Sequence, residues 1–137
     1  MLTRILTALG VLVSGGVHLW LWFDGFRDVD VIGPSFMFNA VAGLVIAVAV
    51  IVWRHWLPLL LAVGFGTATL LAFLISTTVG LFGLHEVFWG TWQMLAAASE
   101  LLAIVAGCVA LWRENHTMLT KALATRRSEG GLHAHPR

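Results

Sequence analysis

Residues 35–53 read SFMFNAVAGLVIAVAVIVW and contain no charged side chain. An α-helix rises about 1.5 Å per residue, so this stretch is long enough to cross the roughly 30 Å hydrocarbon core of a bilayer. It is bounded by Gly33-Pro34 on one side and by Arg54-His55 on the other. The stretch therefore predicts a transmembrane helix, with the membrane as the solvent of the chain.

Three further apolar stretches of similar length are separated from this one, and from each other, by short polar segments. The four predicted spans cover about 5–23, 35–53, 59–81 and 89–112. Because 59% of the 137 residues are hydrophobic and only 11% are charged, little is left for a water-soluble domain. We predict an all-α fold: an antiparallel four-helix transmembrane bundle over residues 1–113 and a polar, partly disordered tail over 114–137.

Basic residues are divided unevenly between the two predicted ends of the bundle. Only Arg27 falls at one end, whereas the other end and the tail carry Arg4, Arg54, Arg113, Lys121, Arg126, Arg127 and Arg137. Since short segments rich in Lys and Arg stay in the cytoplasm, we expect a multi-pass protein of a bacterial inner or plasma membrane with both termini cytoplasmic. The tryptophans agree, because they fall at the predicted interfaces: Trp20, Trp22, Trp89 and Trp92 outside, and Trp53, Trp56 and Trp112 inside.

Composition and motifs exclude several classes of function. A net charge of +1 without a basic water-exposed domain gives no support for a nucleic-acid partner. The single cysteine, Cys108, excludes a disulfide or a CxxC redox pair within one chain. The sequence also contains no phosphate-binding glycine loop, no Gly-x-Ser-x-Gly and no His-Glu-x-x-His. These observations favour a non-enzymatic protein.

Polar side chains are costly in hydrocarbon, so those inside the predicted spans are the candidate site residues. Counting from the interfaces puts Glu100 near the midplane and most of the others in the outer half. The candidates for a ligand cavity are Ser14, His18, Asn39, Gln93 and Glu100. We predict a polar cavity that opens outward, with Glu100 at its floor and His18 on its wall. The alternative is a structural Glu100 that is protonated, hydrogen-bonds a neighbouring Ser or Asn and holds helices together.

The two outer loops carry candidate metal ligands. His85 and Glu86 lie in one loop and Asp24 lies in the other, and imidazole with carboxylates can ligate a divalent cation. The spacing matches no metal-binding motif, and acidic loops are also ordinary solvated surfaces. A haem held between His18 and His85 is a further alternative. No resident cofactor is predicted, and metal, haem and quinone remain open.

Small residues recur at helical spacing and predict the faces at which the helices approach each other. Gly10 and Ser14 mark span one, Gly43 and Ala47 mark span two, Gly64 and Ala68 mark span three, and Ala96 and Gly107 mark span four.

The stretch from His18 to Asp28 (HLWLWFDGFRD), together with Gly33-Pro34-Ser35-Phe36 and Asn39 to Gly43, resembles a group of uncharacterised small bacterial four-span membrane proteins. In size and number of spans the chain also looks like the broader DoxX-like membrane proteins. The resemblance implies a four-span architecture and brings no activity, cofactor or site residue with it.

Three functions stay open on this basis. The first is a non-enzymatic accessory or binding subunit that takes a lipid or a quinone-like molecule and contacts membrane lipids, a larger membrane complex or a second copy of itself. The second is a membrane redox enzyme, or a metal- or haem-binding component, using His18, His85, Glu86 and Glu100. The third is a small transporter or proton pathway through Glu100.

Overall fold

A computed structural model of the chain describes residues 1–83, 85 and 89–132, with side chains described except at 118, 119, 121, 122 and 125–132. It contains four helices: α1 (Leu2–Leu21), α2 (Ile32–Val52), α3 (Trp56–Thr78) and α4 (Thr91–Leu132). Each contains a segment long and apolar enough to cross a membrane. The prediction of an all-α bundle with four membrane-spanning helices is confirmed, and the chain is a multi-pass membrane protein by length and composition.

The helix boundaries differ from the predicted spans in a regular way. Helices α1, α2 and α3 each begin three residues earlier than predicted, because their first turns are built from residues that precede the apolar run. Pro34 and Pro58 lie within such first turns, where the missing N–H of proline has no intrahelical partner to lose. After α1, a π-helical turn continues to Phe26, with Gly25 at a φ of 129° marking the kink.

Helix α4 extends well beyond its predicted membrane end. It is one helix of 42 residues from Thr91 to Leu132, whereas the sequence predicted a span ending at about residue 112 and disorder at residues 128–131. The sequence after Trp112 contains good helix formers such as Leu119, Lys121 and Ala122, which favour continuation of the helix. Residues 133–137 of the predicted tail lie outside the described residues.

Helix α1 is the centre of the packing. It packs extensively against both α2 and α4, and α3 packs mainly against α4, while the contact between α2 and α3 is smaller. Helices α1 and α4 approach closely at Gly10, since a Cβ there would lie 2.7 Å from Ser99 O and from Ala103 N. On α3 the prediction of Gly64 as a packing residue is wrong, because Gly66 is the glycine that lies against the backbone of Glu100.

The bundle buries small side chains and exposes large apolar ones. Its main core cluster consists of Ala8, Val11, Ala47, Val50, Leu59, Ala62, Ala103 and Ala110. Large side chains such as Phe38, Val52 and Val105 are exposed on the outside. In a lipid solvent, helices gain nothing by hiding large apolar groups and gain dispersion contacts through close backbone approach, so this distribution fits a membrane.

Candidate functional site

A cavity of about 260 Å³ lies inside one half of the bundle, and all four helices contribute to its wall. It is at the end where α1 finishes and α4 begins, which we call the Trp20 end; the opposite end is the Arg4 end. Most of its surface is apolar. The residues that line it are His18, Leu21, Ile32, Ser35, Phe36, Asn39, Thr69, Ala72, Phe73, Ser76, Leu81, Phe82, Gln93, Ala96 and Glu100.

Four of the five predicted cavity candidates line this one space, and the fifth bonds to one of them. His18, Asn39, Gln93 and Glu100 are lining residues, although they come from three different helices. Ser14 is fully buried and donates its hydroxyl hydrogen to Glu100 Oε1 across 3.1 Å. The structure therefore brings all five together.

Glu100 is the most unusual member of the site. Its side chain is only 1% exposed, and Oε1 accepts the Ser14 hydrogen bond. The second carboxyl oxygen, Oε2, is buried with no hydrogen-bond partner. The close approach at Gly10 explains the position, because Ser14 lies one turn further along the same face of α1 and so reaches α4 at Glu100.

His18 extends this polar chain toward the Trp20 end. Its Nδ1 is 2.8 Å from the carbonyl oxygen of Ser14, and since a carbonyl can only accept, Nδ1 carries the hydrogen. Ser14 thus links His18 and Glu100 without a direct contact between them. The ring of His18 packs edge-on against Phe36 on α2, with centroids 5.1 Å apart, which fixes its orientation in the cavity wall.

Asn39 on α2 supplies a second unpartnered acceptor. Its Oδ1 is buried and has no hydrogen-bond partner. A buried acceptor without a donor costs about 1–3 kcal/mol of desolvation, so such groups call for an explanation. Two of them in residues that line one cavity, Asn39 and Glu100, distinguish this site from the rest of the described chain.

The α3 wall of the cavity was missed by the sequence analysis. Thr69 donates to Phe65 O within its own helix and also places its hydroxyl beside the Glu100 carboxyl group. Phe73 and Ser76 line the cavity one and two turns further on. The spacing of these residues along one helical face is the signal that would have grouped them.

Two of the candidate metal ligands, Asp24 and His85, are not among the residues that line the cavity. Asp24 is exposed on the π-helical turn, and His85 is exposed with its imidazole against Gly80. Glu86 lies outside the described residues. Among the residues that the structure describes, no group of three His, Cys, Asp or Glu side chains is arranged to hold a metal ion.

The Arg4 end contains a second buried charge that the sequence analysis treated only as a topology signal. Arg4 is 3% exposed, and its guanidinium binds both carboxylate oxygens of Glu114, at 2.6 and 2.8 Å. It also donates to the carbonyl oxygens of Val50, Trp53 and His55 at 2.8–3.1 Å. Arg4 thereby connects α1 to α4 and satisfies carbonyl oxygens at the C-terminal end of α2 and in the turn that leads to α3.

An apolar layer separates the two ends. Along α1, Ala8 and Val11 of the main core cluster lie between Arg4 and Ser14, and along α4, Ala103 and Ala110 lie between Glu100 and Glu114. The buried Thr7 in this layer donates to Thr3 O of its own helix. The cavity therefore ends at Glu100.

Comparison of the chain with protein-family models, with curated proteins and with solved structures gives no match.

Proposed function

We propose that this protein is a non-enzymatic, membrane-embedded binding protein whose cavity takes a small, mostly apolar molecule. The observation that carries the proposal is Glu100: a carboxyl group 1% exposed, with one oxygen unpartnered, in the wall of a cavity of about 260 Å³. A ligand of lipid-like or quinone-like character fits the largely apolar wall, and its polar group would meet the few polar side chains.

The position of the cavity supports access from outside the cell. The cavity lies at the Trp20 end, and the basic residues Arg4, Arg54 and Arg113 lie at the other end of the helices. Applying the positive-inside rule, we place the Arg4 end and both termini in the cytoplasm, and the cavity in the outer half of an inner or plasma membrane.

The alternative of a proton pathway through Glu100 receives less support. The chain from His18 through Ser14 to Glu100 resembles a proton relay, but it meets the apolar layer of Val11 and Ala103. A polar chain that stops halfway suits a binding site better than a route across the membrane.

A cavity-filling variant tests the proposal. Ala72 lines the cavity on α3, so Ala72→Phe fills part of the space, whereas Ala68 is exposed on the same helix and Ala68→Phe adds the same ring on the lipid side. The probe is 1-aminoanthracene, an apolar fluorophore with one amine, titrated into each protein in lipid nanodiscs. We expect saturable one-to-one fluorescence enhancement with the wild type and Ala68→Phe, and its loss with Ala72→Phe.

Two results would overturn this function. One is a fluorescence increase that never saturates with the wild type and equals that of protein-free nanodiscs. The other is saturable binding of equal affinity in all three proteins, which would place the probe outside the cavity. Circular dichroism of each variant checks that the helices remain folded.

A further inference from the structure

Among the described residues that line the cavity, the two buried side-chain atoms without a hydrogen-bond partner are both acceptors. Glu100 Oε2 and Asn39 Oδ1 are buried oxygens without partners. On His18, Nδ1–H is already bonded to Ser14 O, so in the neutral ring Nε2 is left as an acceptor. A ligand that satisfies these atoms must donate hydrogen bonds to them.

Glu100 also has no basic partner. In the described part of the chain, ion pairs join Arg4 to Glu114 and Arg27 to Asp28, and neither involves Glu100. Arg4 is separated from Glu100 by the apolar layer and makes its full set of bonds at the other end. An ionised carboxyl group at this position favours a cationic partner, because no basic side chain of the described residues pairs with it.

Aromatic rings complete the environment that a cation needs. Phe36, Phe73 and Phe82 come from α2, from α3 and from the connection to α4, and all three line the cavity. The face of an aromatic ring attracts a cation, and the attraction is stronger in a desolvated site. The remaining wall is apolar, which suits a hydrocarbon or ring body attached to the charged group.

From this arrangement we infer that the ligand of the cavity is a hydrophobic amine, bound as an ammonium cation that donates N–H bonds to Glu100 and Asn39. The inference rests on the proposed binding function and specifies the chemical class of its ligand. A neutral hydroquinone supplies hydrogen-bond donors but no charge, so it tests whether the ligand must be charged. A quaternary ammonium supplies charge but no donor, so it tests whether the ligand must donate hydrogen bonds.

Competition against bound 1-aminoanthracene separates these classes. Three competitors have the same ten-carbon chain: decylamine, decyltrimethylammonium and 1-decanol. The fourth competitor is durohydroquinone, a quinol. All four are compared at equal concentration in the lipid phase. We expect decylamine to displace the probe at about tenfold lower concentration than any other competitor, since it alone combines charge with N–H donors.

Two variants assign the preference to the named side chains. Glu100→Gln retains an oxygen for Ser14 but removes the charge, so the advantage of decylamine over 1-decanol should fall to about twofold or less. Asn39→Leu removes one acceptor and keeps Glu100, so the advantage should fall but persist. Both variants are first checked for helical content and for retained binding of the probe.

The possible results test the amine assignment and the proposed binding function separately. If the probe binds in the cavity but 1-decanol or durohydroquinone competes as well as decylamine, the amine assignment is wrong and the binding function stands. The same holds if Glu100→Gln keeps the full preference for decylamine. If no probe binding depends on Ala72, the binding function itself fails.

Discussion

Among the described residues, Arg4 at one end of the bundle and Glu100 at the floor of the cavity are the two buried residues of charged type, and their hydrogen-bonding groups are satisfied to very different degrees. Arg4 is 3% exposed and makes five hydrogen bonds of 2.6–3.1 Å, two to Glu114 and three to carbonyl oxygens. Glu100 is 1% exposed, accepts one hydrogen bond from Ser14 at 3.1 Å and leaves Oε2 without a partner. The two side chains are therefore almost equally buried, but Arg4 makes all of its possible hydrogen bonds and Glu100 does not.

The difference separates a structural charge from a candidate binding group. A buried ion whose hydrogen-bonding capacity is filled by its own protein has nothing left to offer a ligand, and its removal leaves several groups unpaired. A buried ion that is half satisfied beside a cavity keeps capacity for a ligand and contributes less to the fold. Stability measurements on four substitutions test this distinction.

The largest effect is expected from Arg4→Met. It leaves the Glu114 carboxylate and the carbonyls of Val50, Trp53 and His55 without their donor, so we expect a loss of about 3–5 kcal/mol in the free energy of unfolding. The measurement is equilibrium unfolding in mixed micelles with increasing sodium dodecyl sulfate, followed by circular dichroism.

Arg54→Met is the matched control for Arg4. Arg54 is exposed, its side chain donates a hydrogen bond to the sulfur of Met1 at 3.9 Å, and its charge acts on Glu114 only weakly, so the control should change stability by less than about 0.5 kcal/mol. Equal losses in the two variants would mean that positive charge at this end, and not the bonds of Arg4, stabilises the bundle.

Gly10→Ala should have the next largest effect. Its Cβ would lie 2.7 Å from backbone atoms of Ser99 and Ala103, which forces α1 and α4 apart between the two buried charges, so we expect a loss of about 1–3 kcal/mol. Gly64→Ala is the control, since a Cβ there meets nothing within 4 Å. The same unfolding assay should show the control as neutral or slightly stabilised, and a larger loss at Gly64 would contradict the packing assigned to the helices.

Ser14→Ala should have a smaller effect. It removes the one hydrogen bond that Glu100 accepts from α1, and such bonds between membrane helices contribute about 0.6 kcal/mol on average. The control is Ser35→Ala, and the free energies of unfolding of the two variants are compared. The Ser35 hydroxyl donates only locally, to the carbonyl oxygen of Val31 at the start of α2. A loss at Ser14 as large as that of Arg4→Met would show that the Ser14–Glu100 bond is a principal support of the bundle.

The smallest effect on stability is expected from Glu100→Gln. The amide oxygen still accepts from Ser14, so the free energy of unfolding should change by less than about 0.5 kcal/mol, below the value of one membrane hydrogen bond. The same variant is expected to lose most of its preference for amines. A stability loss of several kcal/mol without any change in ligand preference would make Glu100 a structural residue.

The sequence predicted the architecture well because hydrophobic length is a local property. Four apolar stretches, each long enough to cross hydrocarbon, can be counted without knowing how they pack. The same local reasoning found the cavity candidates, since an intramembrane Glu100, His18 or Asn39 is conspicuous in an apolar stretch. It placed the end of the last span at about residue 112, and α4 continues beyond that position as one helix to Leu132.

Only the tertiary structure determined which polar groups are satisfied. Arg4 and Glu114 are 110 positions apart in sequence, and Ser14 and Glu100 are 86 apart, so no local pattern relates them. The rotation of α3 about its axis determines which of its residues face the other helices. It directs Gly66, and not Gly64, against α4, and it places Thr69 and Phe73 in the cavity wall. The length of an apolar stretch determines whether a helix can cross the membrane. The rotation of that helix about its axis, and the helices it contacts, are determined by close packing, which exists only in the assembled bundle.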